Sequence, residues 1–325
     1  METGSYIVHL LSSPYGNSCV KASEVLEVSH DKVTRFLNQS NYTGSDLFKK
    51  AAPNLILSGG TISVDDTVID KPYSKPSANE LVSTYWSGKH HRVVKGISLI
   101  SLVYTDKKGC CLPINFRLYD PNQDYTKHEL FQQMLRQVIG WGLCPAWVTA
   151  DSWYASIANL KLLRGLEISF MIGVKSDRVV SSTPGVYEKV GQMEQIPTDG
   201  IVTHLRKFGF VKLFRTVHPD DRARHYIIYK ANDEELITFK REQFKELKRI
   251  HWNIEQMHRV LKQVCSLERF FVRKAQAVKT HVFAALRAFQ RITLWHQDEL
   301  FPSVYDIRKV IFIQAQRKFI KTMTA

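Results

Sequence analysis

The chain has 325 residues, 44% of them apolar, the ordinary proportion for a globular protein, so most of it is expected to fold. Lys and Arg number 45 against 31 Asp and Glu, a formal charge of +14 that points to an anionic partner, nucleic acid foremost. The longest apolar stretch, residues 93–104, is broken by Lys95 and Gly96 and is too short for a membrane span, and residues 7–11 have no basic leader.

The first fifty residues read as small helices. Residues 18–26 have helical periodicity, residues 27–29 break it, and Ser29 is placed to cap a second helix over 30–38 with Val33, Phe36 and Leu37 on one face. Helix, tight turn, helix is the outline of a helix-turn-helix DNA reader, with Lys32, Thr34 and Arg35 toward the exposed side. An ordinary pair of packed helices has the same pattern.

From about Gly60 the pattern changes to strands, over 61–69, 92–105 and 109–118, the last two joined through the turn residues 106–109. Residues 127–140 have helical spacing, with Leu130, Met134, Val138 and Ile139 recurring at three and four. A short strand over 146–150, a helix over 157–166 and a buried strand over 169–174 follow. Three strands, helix, strand, helix, strand is the order of a ribonuclease-H-like α/β domain with a mixed sheet. Residues 210–217 and 224–229 alternate around the turn signal Pro219–Asp220–Asp221 and suggest a β-rich insertion. A long basic amphipathic helix is expected over 241–267, then further helices.

The five cysteines include no C-x-x-C, and adjacent Cys110 and Cys111 face opposite ways on a strand, so neither a disulfide scaffold nor a zinc knuckle is signalled. A reducing cytoplasm, near the nucleoid, is the expected location. Between Arg241 and Arg291 there are 12 basic residues and 4 acidic ones, so the positive charge is concentrated there.

Asp65 and Asp66 interrupt an apolar strand, and Asp151 directly follows the strand W-V-T-A. Burying a carboxylate without compensation costs several kcal/mol, so such acids usually have a cation or donor nearby, although each alone also suits a strand-end turn. Glu255 lies on the basic helix, where Ile254, Val260 and Leu261 can hold it to a core and Lys262 sits two turns along the same face. His251, Glu255 and His258 share that face, but a di-iron bundle needs a second E-x-x-H helix and the chain has none.

Taken together these segments resemble the DDE transposases of bacterial insertion sequences, in the IS4-like group with its IS701-type relatives. S-V-D-D-T resembles the first-strand D-x-T, and H-H-R-V-V-K-G-I-S-L-I-S-L-V-Y the second strand. V-T-A-D-S-W-Y resembles the second aspartate with its trailing aromatic. W-N-I-E-Q-M-H-R-V-L-K-Q resembles the glutamate helix, and the β-rich stretch between Asp151 and Glu255 the group's insertion. The resemblance implies a catalytic, metal-holding triad of Asp65, Asp151 and Glu255, with Asp66 as the alternative to Asp65. It implies Lys262 as a DNA-contacting lysine. Where the family often has Tyr and Arg before the glutamate, this chain has Lys248 and His251, and histidine is a poorer permanent cation than arginine.

Strand cleavage and joining are in-line displacements at phosphorus, which two divalent ions about 3.5–4 Å apart can assist. Mg²⁺, with Mn²⁺ as substitute, takes hard oxygen ligands such as these. Lys248, Arg249, Arg259, Lys262, Arg269 and Arg273 are expected to meet the DNA backbone alongside Arg35, and Trp252 to stack on a flipped base or to anchor the core. The expected organisation is a helical DNA-binding region (1–55), a first catalytic part (56–175), the insertion (176–240), the catalytic helix and domain end (241–295) and a helical tail (296–325). The partners implied are double-stranded DNA (terminal inverted repeats and target) and a second copy of the chain, with no membrane. Two other readings carry the same features: a catalytically decayed DNA-binding regulator, and a ribonuclease-H-like nuclease that cuts without joining.

Overall fold

In the computed structural model all residues are described except 14–15, 76–78, 194, 218–221 and 325. The turn expected at Pro219–Asp220–Asp221 lies outside the described residues. Four helices open the chain: α1 (Thr3–Ser12), α2 (Cys19–Leu26), α3 (His30–Gln39) and α4 (Gly44–Ala51). Ser18 and Ser29 cap α2 and α3 by accepting from the backbone N–H of Lys21 and Lys32, and Glu27 turns between them in the left-handed region at φ 51°. On α3, Lys32 and Arg35 face solvent. Thr34, expected beside them, is half-buried with its hydroxyl beneath the surface.

The strands β1 (Thr61–Asp70), β2 (Ser83–Ser87), β3 (Arg92–Thr105) and β4 (Cys111–Leu118) follow, then helix α5 (Lys127–Gly140), strand β5 (Trp147–Ala150), helix α6 (Ile157–Gly165) and strand β6 (Ser169–Val174). The expected order therefore gains one strand, β2. It is a short strand with the sequence S-T-Y-W-S, and it pairs with the first third of β3 while β4 pairs with the rest.

The next strands are β7 (Val179–Thr183), β8 (Val186–Lys189), β9 (Ile201–Leu205), β10 (Gly209–Val217) and β11 (Ala223–Tyr229). They prolong the same sheet. Its order is β2-β3-β1-β5-β6-β11-β10-β9-β7-β8, with β4 also on β3, and among the described residues the β1–β5 and β5–β6 strand pairs are parallel and the other strand pairs antiparallel. The chain closes with α7 (Asp233–Thr238), α8 (Arg241–Gln263), α9 (Ala275–Gln297) and α10 (Ile307–Met323).

The two-residue period of β3 writes both faces of the sheet. Ile97, Leu99 and Val103 enter a core shared with the N-terminal helices, α8 and α9, whereas Ile100, Leu102 and Tyr104 enter a second core with α5 and α6. A smaller cluster around Phe214, Phe239 and Phe244 seats the start of α8 on the added strands. The sheet is thus sandwiched at its centre, and α8 lies across the face toward which odd-numbered residues of β1 point. Among the described residues no helix is long and apolar enough to cross a membrane.

Candidate active site

The register brings the first two acids together. Val64 of β1 pairs in parallel with Ala150, the last residue of β5, so Asp65 and Asp151 stand side by side where β5 ends. Carboxyl ends of parallel strands are where ligands gather in α/β sheets. Asp151 also turns the chain: its Oδ1 accepts from the N–H of Trp153 at 2.9 Å, starting a single helical turn over Ser152–Tyr154.

Glu255 comes from α8, which packs Ile254, Met257 and Leu261 into the core at helical spacing. His258, one turn along, is buried, and its Nδ1 lies 3.6 Å from Asp65 Oδ2. Two further hydroxyls register the helix. Thr149 Oγ1 lies 2.8 Å from Ser63 Oγ and 3.1 Å from His251 Nδ1, a buried link between β1, β5 and α8.

Asp65, Asp66, Asp151 and Glu255 line one pocket of about 860 Å³, with Trp252, Arg259 and Lys262 on its α8 wall. Solvent reaches Asp151 and Glu255 from the pocket, but protein encloses their other sides. That enclosure is the main cause that lifts Asp151 to about 7, with the charges of Asp65 and Asp66 adding and the Trp153 N–H opposing. Glu255 is raised by the same enclosure and by Asp65, against the pull of His258, Arg224 and Arg259. Asp66 is compensated separately: its Oδ2 accepts from Lys127 Nζ at 2.6 Å and from Ser98 Oγ at 3.2 Å. Lys127 opens α5 and stands over the rings of Tyr85 and Tyr119, at 5.3 and 5.8 Å.

The pocket thus gathers hard oxygen donors of the kind Mg²⁺ takes. Among the described residues no three acidic, histidine or cysteine side chains already form a closed ligand set. The acids fit a divalent ion in donor type and charge.

The expected DNA-facing cations are divided rather than gathered. Arg259 and Arg269 line the pocket. Lys262 lines it too, but its Nζ donates to the Val68 carbonyl at 2.8 Å and lies 3.2 Å from Glu268 Oε1. Lys248 stands over Tyr226 at 5.1 Å, with burial pushing its pKa down, and Arg249 makes a two-pronged pair with Glu246. Arg273 lines a neighbouring cleft beside Lys71, and Arg35 is on α3, outside the acid pocket. Burial pushes the His251 pKa down, so this residue is a neutral hydrogen-bond partner and not a cation. Trp252 is 53% exposed, so of its two expected roles the core anchor is excluded. Lys127 and Thr149 escaped the sequence reading; His258 was signalled only by E-x-x-H.

Over 99% of its length the chain is similar in fold to the piggyBac transposase in a cryo-EM synaptic complex with hairpin DNA, covering 71% of that chain at a TM-score of 0.57 and 11% identity. The Drosophila P element transposase in its strand transfer complex is matched over 57% of this chain and 46% of that one, at a TM-score of 0.28 and 12% identity. No curated protein sequence matches significantly. The first likeness, with the sheet order, defines the class of fold as a ribonuclease-H-like mixed α/β sheet. Residues 58–290 match the family described as transposase DDE domain, and the chain belongs to that family. Membership brings the general activity, strand cleavage and transfer in DNA transposition, for which the family generally uses divalent metal ions.

Proposed function

We propose that this chain is a cut-and-paste transposase of the IS4-like or IS701-type kind, cutting and joining DNA at the ends of an insertion sequence, with Asp65, Asp151 and Glu255 as its catalytic acids. The observation that carries the reading is their convergence, from two parallel strands and a crossing helix, on one pocket walled by Arg259 and Trp252. These acids would hold Mg²⁺, or Mn²⁺ in its place, which when bound supplies charge neutralisation at the reacting phosphate. Enclosure and the charges of Asp65 and Asp66 raise the Asp151 pKa, and a bound cation would oppose both by favouring its carboxylate form.

The chain's own groups do the rest. Arg259 meets a phosphate, Trp252 offers its indole to an unstacked base, and His258 with Thr149 and His251 fixes α8 against the acid strands. Water attacks for cutting and a DNA 3′-hydroxyl for joining. Arg35 on the helix-turn-helix pair, with Lys248, Arg249 and Lys262, contributes phosphate contacts as the DNA draws near. The partners are duplex DNA and a second copy of the chain bound to it, near the nucleoid of the cytoplasm.

The test is cleavage of a labelled duplex carrying the element's end, in Mg²⁺ or Mn²⁺, by wild type and Glu255→Gln. Metal-dependent cutting by wild type alone, with binding kept by the variant, is expected. End binding without cutting under either ion favours a decayed regulator, and cutting without joining favours a plain nuclease.

A further inference from the structure

A second cleft, of about 700 Å³, opens on the other side of Asp151 and shares no lining residue with the acid pocket. It begins at Ser152 and Trp153, the two residues after that aspartate, and four cations line it against a single acid, Asp177. These are Lys175 and Arg178, just past the end of β6, and Arg206 and Lys207 in the turn between β9 and β10. On its floor the Trp153 ring is 52% exposed. One side of that ring is backed by His128, parallel within 6° at a centroid distance of 6.1 Å, and Lys175 Nζ lies 6.0 Å from the ring. The platform is fixed. His128 Nδ1 is 3.1 Å from Asn159 Nδ2, and the same amide donates to the Tyr154 carbonyl and accepts from Gln132.

We propose that this cleft binds the DNA strand on the far side of the reacting phosphate from α8, holding it unpaired with a base on Trp153 and its phosphates on Lys175, Arg178, Arg206 and Lys207. The inference rests on the transposase reading and adds a second strand-binding subsite to it. A phosphodiester seated at Asp65 and Asp151 has chain on both sides. One side leaves along the α8 wall past Trp252, and the other passes over Ser152 into the cleft. A π-face among spaced cations suits single-stranded nucleic acid, because every base has a stacking face and every residue a phosphate. An acidic peptide would use the cations and leave the indole bare.

The experiment uses the full chain with Ca²⁺ to hold off cutting and compares two labelled end duplexes. One stops flush at the reacting phosphate; the other continues past it as a short single-stranded extension. Wild type should bind the extended duplex more tightly. Trp153→Ala should lose roughly tenfold on the extended duplex alone. The pair Lys175→Gln and Lys207→Gln should flatten the salt dependence there by about 0.7 per lysine in the log–log slope, the single-strand value. Trp153, Lys175 and Lys207 are all exposed and none is a core position, so folding is kept. Equal wild-type affinity for both duplexes, or variants that weaken both alike, overturns the subsite while flush-end binding and metal-dependent cutting keep the transposase reading. Failure to bind either duplex overturns both.

Discussion

Asp65 and Asp66 are neighbours on β1 held from opposite faces of the sheet. Asp65 Oδ2 lies 3.6 Å from His258 Nδ1 on α8, whereas Asp66 Oδ2 takes a 2.6 Å bond from Lys127 Nζ on α5. A strand alternates its side chains, so one residue of register decides which aspartate meets Glu255 and which meets a lysine. Two adjacent acids therefore have two different environments, one short of positive charge and one supplied with it.

From this follows a paired prediction. Asp65→Asn should reduce metal-dependent cutting by more than about 100-fold, the upper range for losing mere supporting partners of a metal site. Asp66→Asn should keep most cutting and instead lower stability by about 1–3 kcal/mol, between an exposed and a fully buried ion pair. Cleavage rates and thermal melts of the two variants check this, and a reversed ranking would assign Asp66 the catalytic place.

Thr149 joins Ser63 and His251 in a buried link below the acids. Thr149→Val keeps the shape and leaves a buried hydroxyl and a ring nitrogen without their partner, at a cost of about 1–3 kcal/mol. Because His251 is one turn of α8 before Glu255, the variant should also weaken metal binding measured by calorimetry, and Thr149→Ser should restore most of it. A melt unchanged by Thr149→Val would mean the link carries no load.

Much of the central sheet was legible because β1 and β3 are long apolar strands and β6 a short buried run, with Asp65 and Asp66 standing out as charges inside β1. β2 was not, since S-T-Y-W-S is a short strand whose pairing with β3 gives it its form. The choice between Asp65 and Asp66 was equally closed to local reading, because it depends on which helix covers which face. His251 was read as a weakened cation in an arginine's place. Its partner Thr149 is 102 residues away, a contact that no local pattern encodes.

Trp252 and Glu255 share a wall of the pocket, one turn apart on α8, but the indole is exposed and carries little of the fold. Trp252→Ala should change stability by less than about 0.5 kcal/mol. It should weaken binding of the flush end duplex by roughly 5- to 100-fold, the range for losing one base–aromatic stack. A fluorescence titration alongside a melt separates the two effects, and a large loss of stability would show that the ring is structural after all.

His281 supplies a pH prediction away from the acids. It is buried on α9, with Nε2 3.1 Å from the Ser266 carbonyl and Nδ1 2.9 Å from the Tyr6 hydroxyl on α1. A carbonyl only accepts, so the ring proton is on Nε2 and the Tyr6 hydroxyl donates to Nδ1. Burial, with lesser help from the charges of Lys71 and His9, pushes its pKa down to about 3 from 6.5. Between those values the unfolded chain binds one proton more than the folded one, so stability is full above 6.5 and is lost as pH falls toward 3. The slope from this group is at most about 1.4 kcal/mol per pH unit. His281→Gln, which carries no titrating proton, should therefore start less stable at pH 7 and lose stability more slowly than wild type as the buffer is taken from pH 6 to 4. Denaturant melts across that range measure both slopes, and parallel curves would mean that His281 takes up its proton without leaving the fold.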